Sequence, residues 1–172
     1  MDTIKAPRVA VVIGSDSDFP VLKSCIRLLK EFGAEVEVFD CSAHTTLQEA
    51  AEYAANAETS GIEVIIAAAG KTAGLPGALT EVTSLPVIGI PIKSPFMDGP
   101  DSLLSVVRIP SGIPVATVAI DGAENAALLA VQMLSGAYPE LGEKMKEYKK
   151  GLSRMVEQKN IELKKKMEEE TW

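Results

Sequence analysis

Arg8-Val9-Ala10-Val11-Val12-Ile13-Gly14-Ser15-Asp16-Ser17-Asp18 sets the fold class of this 172-residue chain. Six residues rich in β-branched side chains run into a Gly-Ser-Asp-Ser-Asp turn. Phe19-Pro20 then opens a helical pattern, the order used by a nucleotide-binding βα unit. Gly14 permits a sharp turn, and Ser15, Ser17 and the backbone N–H groups of the turn can donate to an anion at the helix N-terminus. Asp16 and Asp18 repel such an anion unless they point elsewhere, so one of them is expected to cap the helix or take a sugar hydroxyl. A capped turn with no ligand is the alternative these residues leave open.

Downstream, Val21, Leu22, Cys25, Ile26, Leu29 and Phe32 fall on one stripe, predicting a helix over 19–32 stopped by Gly33, with Cys25 in the core. Residues 35–39 alternate charged with apolar side chains, as expected of a strand near a sheet edge. Thr46-Leu47-Gln48-Glu49 reads as a capping box for a helix to about residue 60. Further strands are expected over 63–68, 86–91 and 114–120, and helices over about 101–107 and 123–136. Five strands separated by helices, with no hairpin signal, indicate a three-layer, doubly wound α/β sandwich with a parallel five-stranded sheet. In such sheets ligands bind beyond the carboxyl ends of the strands, where the 14–18 turn, Ser42-Ala43-His44 and Gly70-Lys71-Thr72 are all expected.

From Pro139 the pattern changes to a long charged helix in which Leu141, Met145, Tyr148, Leu152 and Met155 follow four-three spacing. The chain thus divides into an α/β nucleotide-binding catalytic domain, 1–138, and a C-terminal helix, 139–172. Packing of that helix on another subunit is expected at least as much as packing on its own domain, with a solvated end beyond about Lys164.

The net charge is −7. Residues 1–138 hold 8 Lys or Arg against 16 Asp or Glu, and 139–172 hold 9 against 8, so the acidity lies in the globular part. That distribution argues against a nucleic-acid partner, which needs a basic face, and leaves a small anionic ligand to local donors. Aromatic residues make up only 5% of the chain, so the core must be built from Ala, Val, Ile and Leu. Two cysteines and one histidine supply no metal spacing, and no metal is expected. Residues 1–7 lack an apolar signal core and no apolar run approaches the ~20 residues of a membrane span. The expectation is a cytoplasmic protein with no membrane partner.

Three residues carry candidate chemistry. His44, in a loop at the ligand edge, has the side chain suited to moving a proton at neutral pH. Lys71 offers a positive charge, although Ile65 breaks the P-loop spacing and excludes a P-loop NTPase. Arg108, taken to stand at the same sheet end, is a candidate carboxylate or phosphate clamp, or a subunit ion pair. Ser15 and Ser42 lack a nucleophile-elbow context, which leaves acyl transfer a weak alternative.

A wider set of motifs now joins these: Gly14 to Asp18, Ser42-Ala43-His44, Leu75-Pro76-Gly77, Lys93-Ser94, 101–105, 114–120 and 125–130. In order and spacing they resemble the purine-biosynthetic family containing N5-carboxyaminoimidazole ribonucleotide mutase and aminoimidazole ribonucleotide carboxylase. The resemblance implies a flavodoxin-like sandwich, an octamer in which C-terminal helices exchange between subunits, and no metal or organic cofactor, CO2 or bicarbonate being reactant or transient intermediate. It implies phosphate binding by Ser15, ribose binding by Asp18 and proton transfer by His44. The expected substrate-binding set is Ser15, Asp18, Ser42, Thr45, Gly70, Lys71, Leu75 and Arg108. The product would be 4-carboxy-5-aminoimidazole ribonucleotide, formed by rearranging the N5-carboxy isomer.

Three departures stand beside these matches. Thr45 occupies the place of the family's usual Arg or Lys, and loss of a charge-assisted phosphate contact typically costs ~1.5 to 3 kcal/mol. Gly74 stands where the mutases carry a second histidine. Gly70-Lys71-Thr72 and Arg108-Ile109-Pro110-Ser111-Gly112 are similar to the carboxylases' Gly-Arg-Ser and Arg-Met-Pro-Ser-Gly. The alternatives are therefore direct carboxylation of 5-aminoimidazole ribonucleotide by CO2, a divergent paralogue acting on another small heterocycle, and a non-catalytic nucleotide-binding or scaffold oligomer.

Overall fold

Alternation along β1 (Arg8–Ile13) builds both halves of the core. Val9, Val11 and Ile13 join one buried cluster and Ala10 and Val12 the other, because successive strand side chains point to opposite faces. In the computed structural model, which describes residues 5–41, 46–70, 74–93 and 99–170, five parallel strands run in the order β2-β1-β3-β4-β5. The others are β2 (Glu35–Asp40), β3 (Val64–Ala69), β4 (Val87–Pro91) and β5 (Ala116–Thr117). The helices are α1 (Phe19–Phe32), α2 (Leu47–Ala57), α3 (Leu75–Thr80), α4 (Gly99–Val107), α5 (Ala123–Leu134) and α6 (Pro139–Glu169). One layer packs α1, α5 and the start of α6 over the larger strand residues Ile66, Ile88 and Ile90. The opposite layer packs the small faces of α2, with Ala50, Ala54 and Ala57, and α3 over Ile65 and Ala67.

The helix boundaries follow local chemistry. Pro20 sits in the first turn of α1, and Gly33 ends it in a left-handed conformation at φ 94°, its N–H bonding the Leu29 and Lys30 carbonyls. At β2, an edge strand, Glu37 points out to Arg8 at 2.9 Å and accepts from the Tyr53 hydroxyl at 2.8 Å. The expected charged and apolar alternation is thus the signature of a half-solvated strand.

β5 corrects the expectation of a strand over 114–120, since ladder pairing covers only Ala116 and Thr117 against Ile88 and Gly89. Pro114 and Pro91 lack the N–H a longer ladder would need. The chain instead leaves β5 through single bonds, Val118 N–H to the Gly89 carbonyl at 3.2 Å and Asp121 N–H to the Pro91 carbonyl at 2.8 Å.

The helix at the C-terminal end divides its apolar stripe. Leu141 and Met145 are buried in the chain's own core, Tyr148 lies against Phe32 with ring centroids 5.8 Å apart, and the Lys144 ammonium bonds the Phe32 carbonyl at 2.6 Å. Leu152, Met155 and Val156 are 41%, 55% and 57% exposed. Among the described residues no helix is long and apolar enough to cross a membrane.

Candidate active site

The sheet order places the end of β1 between the ends of β2 and β3, at the point where the flanking helices change faces, the crevice in which open α/β sheets bind ligands. Immediately after β1, residues Asp16–Asp18 form one 3-10 turn leading into α1. Asp16 holds that turn together. Its Oδ1 accepts from the Ser17 backbone N–H at 2.8 Å and from the Ser15 hydroxyl at 3.2 Å, and the Ser15 and Ser17 hydroxyls share a hydrogen bond at 2.9 Å. Satisfying its own turn takes the Asp16 carboxylate out of the way of an incoming anion.

Asp18 behaves differently. It occupies the N-cap position of α1 without making a side-chain capping bond, and it is only 1% exposed. Its carboxylate lies instead against Gly70 at the end of β3, where a β-carbon on Gly70 would fall 2.6 Å from Oδ1. Ser15, 7% exposed, and Asp18 therefore share one crevice with the mouth of the Gly70 loop.

The flanks of the His44 loop are anchored at the same edge. Cys41 N–H bonds the Ile13 carbonyl at 2.7 Å, tying the start of the loop to the residue before Gly14. At the other end the capping box closes: the Glu49 N–H reaches the Thr46 hydroxyl at 3.2 Å, and the Thr46 N–H reaches the Glu49 carboxylate at 2.6 Å. That backbone bond, followed by the one from the Thr46 hydroxyl, holds the Glu49 carboxyl below its ordinary range. Burial, and then the carboxylates of Asp40 and Glu49, push the Cys41 thiol up, which keeps it protonated and inert beside the site.

His44, Ser42, Thr45 and Lys71 lie outside the described residues. Of the remaining candidates, Ser15, Asp18 and Gly70 are brought together. The Leu75 side chain is fully buried in the cluster that holds Ala10, Ile65 and Leu79. Arg108 is exposed and follows α4 in the connection entering β5, rather than lying on a loop that leaves a strand. One contributor escaped the sequence reading. Asp121, with φ 55°, is the single non-glycine positive φ among the described residues, and its Oδ1 accepts the Lys93 N–H at 3.0 Å, clamping the chain as it leaves β4. The Asp121-Gly122 pair after β5 was the available signal, since Asp tolerates the left-handed region. Among the described residues no group of His, Cys, Asp and Glu could hold a metal ion.

The model of the AIR carboxylase family matches residues 8–155, most of the chain. The chain belongs to the AIR carboxylase family. Among curated family members it is similar to the N5-carboxyaminoimidazole ribonucleotide mutase of Pyrococcus horikoshii, 55% identical over 166 residues, 96% of this chain and 92% of that one. The mutase of Thermotoga maritima is 52% identical over 153 residues, 89% of this chain and 90% of its own. The crystal structure of Treponema denticola PurE superposes with a TM-score of 0.81 at 28% identity, covering 92% of this chain and 99% of that chain. The AIR carboxylase fold thus accounts for the parallel sheet and its flanking helices.

Proposed function

We propose that the protein is an N5-carboxyaminoimidazole ribonucleotide mutase, an isomerase of purine biosynthesis. The observation that carries this reading is the 55% identity to a protein of that name across 96% of the chain. The geometry supports it: Ser15 and Asp18 lie together at the switch point of the sheet, suited to a phosphate and a ribose. His44, whose loop is anchored beside them at Cys41 and Thr46, is the proton carrier. His44 gives a proton to the exocyclic nitrogen as the N–CO2 bond breaks and its electron pair returns to that nitrogen. The CO2 stays in the crevice, C4 attacks it, and His44 recovers the proton that C4 loses. Bonds and protons balance within the substrate and one imidazole, so the sequence of steps calls on no redox group or metal.

Phosphate binding falls to Ser15 and the turn amides, with Ser42, Thr45 and Lys71 as further polar groups. Thr45 supplies a hydroxyl where a cation is usual. Direct carboxylation of 5-aminoimidazole ribonucleotide is the second reading, favoured by Gly74, which carries no side chain where a second histidine is usual and whose β-carbon position meets nothing within 4 Å among the described residues. We also infer an octamer with exchanged C-terminal helices, supported by the apolar residues that α6 exposes beyond Tyr148. Incubation with each ribonucleotide decides the reaction. The mutase converts the N5-carboxy compound to 4-carboxy-5-aminoimidazole ribonucleotide without added bicarbonate. Turnover of the unsubstituted nucleotide with CO2, and none of the N5-carboxy compound, overturns the assignment.

A further inference from the structure

We infer that Gly70 is a positioning residue for the Asp18 carboxylate, the group that makes it fit to take a ribose. All three atoms of that carboxylate face Gly70: a β-carbon there would lie 2.6 Å from Oδ1, 3.1 Å from Oδ2 and 3.2 Å from Cγ. Real β-carbons do not approach oxygen so closely, so any other residue at 70 must push the carboxylate away. Asp18 has no room to retreat by moving its backbone, because its N–H bonds the Ser15 carbonyl at 2.9 Å and α1 starts at the next residue. Asp18 is also only 1% exposed.

Gly70 is not needed for its own backbone. Its φ lies outside the left-handed region, unlike Gly33, Gly61 and Gly112, so an alanine could adopt the same conformation. What the position requires is the absence of a side chain, and the only group that absence accommodates within 4 Å among the nearest atoms is the Asp18 carboxylate. Beyond the ladder that registers β1 with β3, the Asp18 side chain thus joins the turn after β1 to the residue after β3.

The inference rests on the functional reading above for its consequence, ribose binding. A double-mutant cycle tests it, with KM and kcat for the N5-carboxy ribonucleotide measured for wild type, Gly70→Ala, Asp18→Ala and the double variant. Gly70→Ala is expected to raise KM about ten- to a hundredfold with a smaller change in kcat, as Asp18→Ala does. Adding Gly70→Ala to Asp18→Ala is expected to cost less than about twofold more, since the alanine at 18 leaves space for the new methyl. A glycine that matters only for strand packing would cost the same in both backgrounds, and that additivity, or an unchanged KM in Gly70→Ala, overturns the proposal. A crystal structure of Gly70→Ala reads the seating directly, the carboxylate being displaced from the end of β3 if the inference holds and unmoved if it does not. Absence of turnover in the wild type would instead remove the functional reading, leaving the crystal structure to decide the seating.

Discussion

Replacing His44 by Asn removes the proposed proton carrier while keeping a polar side chain of similar reach. Turnover is expected to fall by about 10²- to 10⁴-fold with ribonucleotide binding by calorimetry retained. Unchanged turnover would eliminate His44 from the chemistry. At the next residue, Thr45→Arg restores a charge-assisted phosphate contact and is expected to tighten the ribonucleotide by about tenfold or more. If that substitution abolishes activity, the native ligand differs from the family's. A third residue answers to pH. Burial pushes the Cys25 thiol up to about 12, so above the ordinary thiol value of ~8.5 the folded chain binds more protons than the unfolded one. Its contribution to stability is whole below that ordinary value and is lost as pH rises toward 12. Urea midpoints at alkaline pH should therefore fall less steeply in Cys25→Ala than in wild type. Part of the slope remains with Tyr53, pushed up by burial first and then by its bond to Glu37. Cys25 was legible in sequence because it sits on an apolar stripe. The closeness of Asp18 to Gly70 was not, since 52 positions separate them and no local pattern encodes the pairing of β1 with β3.

Elements with a chemical signature at their ends were readable, and α2 is the clearest. Thr46 and Glu49 satisfy each other's backbone N–H groups, the reciprocal bonding that a Thr followed three residues later by Glu predicts. Thr46→Ala is expected to cost about 1 kcal/mol by urea denaturation, and to loosen the downstream anchor of the His44 loop. A change below a few tenths would mean that the cap is dispensable. α1 was equally plain, bounded by Pro20 and Gly33, and β2 announced its edge position through alternating charge. β5 was overread because apolar, β-branched residues over 114–120 satisfy a strand pattern that only a neighbouring strand can complete, and β4 offers pairing at Ile88 and Gly89 alone.

At the scale of the molecule, α6 begins in the core of the α/β body and ends exposed. Its opening turns bury Leu141 and Met145 in the core that α1 and α5 share, whereas Leu152, Met155 and Val156 face outward on the same charged helix. Leu152→Glu with Met155→Glu is expected to dissociate the assembly in sedimentation velocity while leaving the circular dichroism of the sheet and helices unchanged, because these residues lie beyond the buried contacts. An unaltered sedimentation coefficient would remove that stretch from the subunit interface. The sequence by itself determined the element order, the parallel sheet and the family, because periodicity, caps and turn residues are local and the family's motifs recur at fixed spacing. Only the tertiary structure decided that the Leu75 side chain belongs to the core and that Asp18 rests on Gly70. Those facts depend on which strands lie side by side, and strand adjacency is settled by packing the two faces of the whole sheet at once.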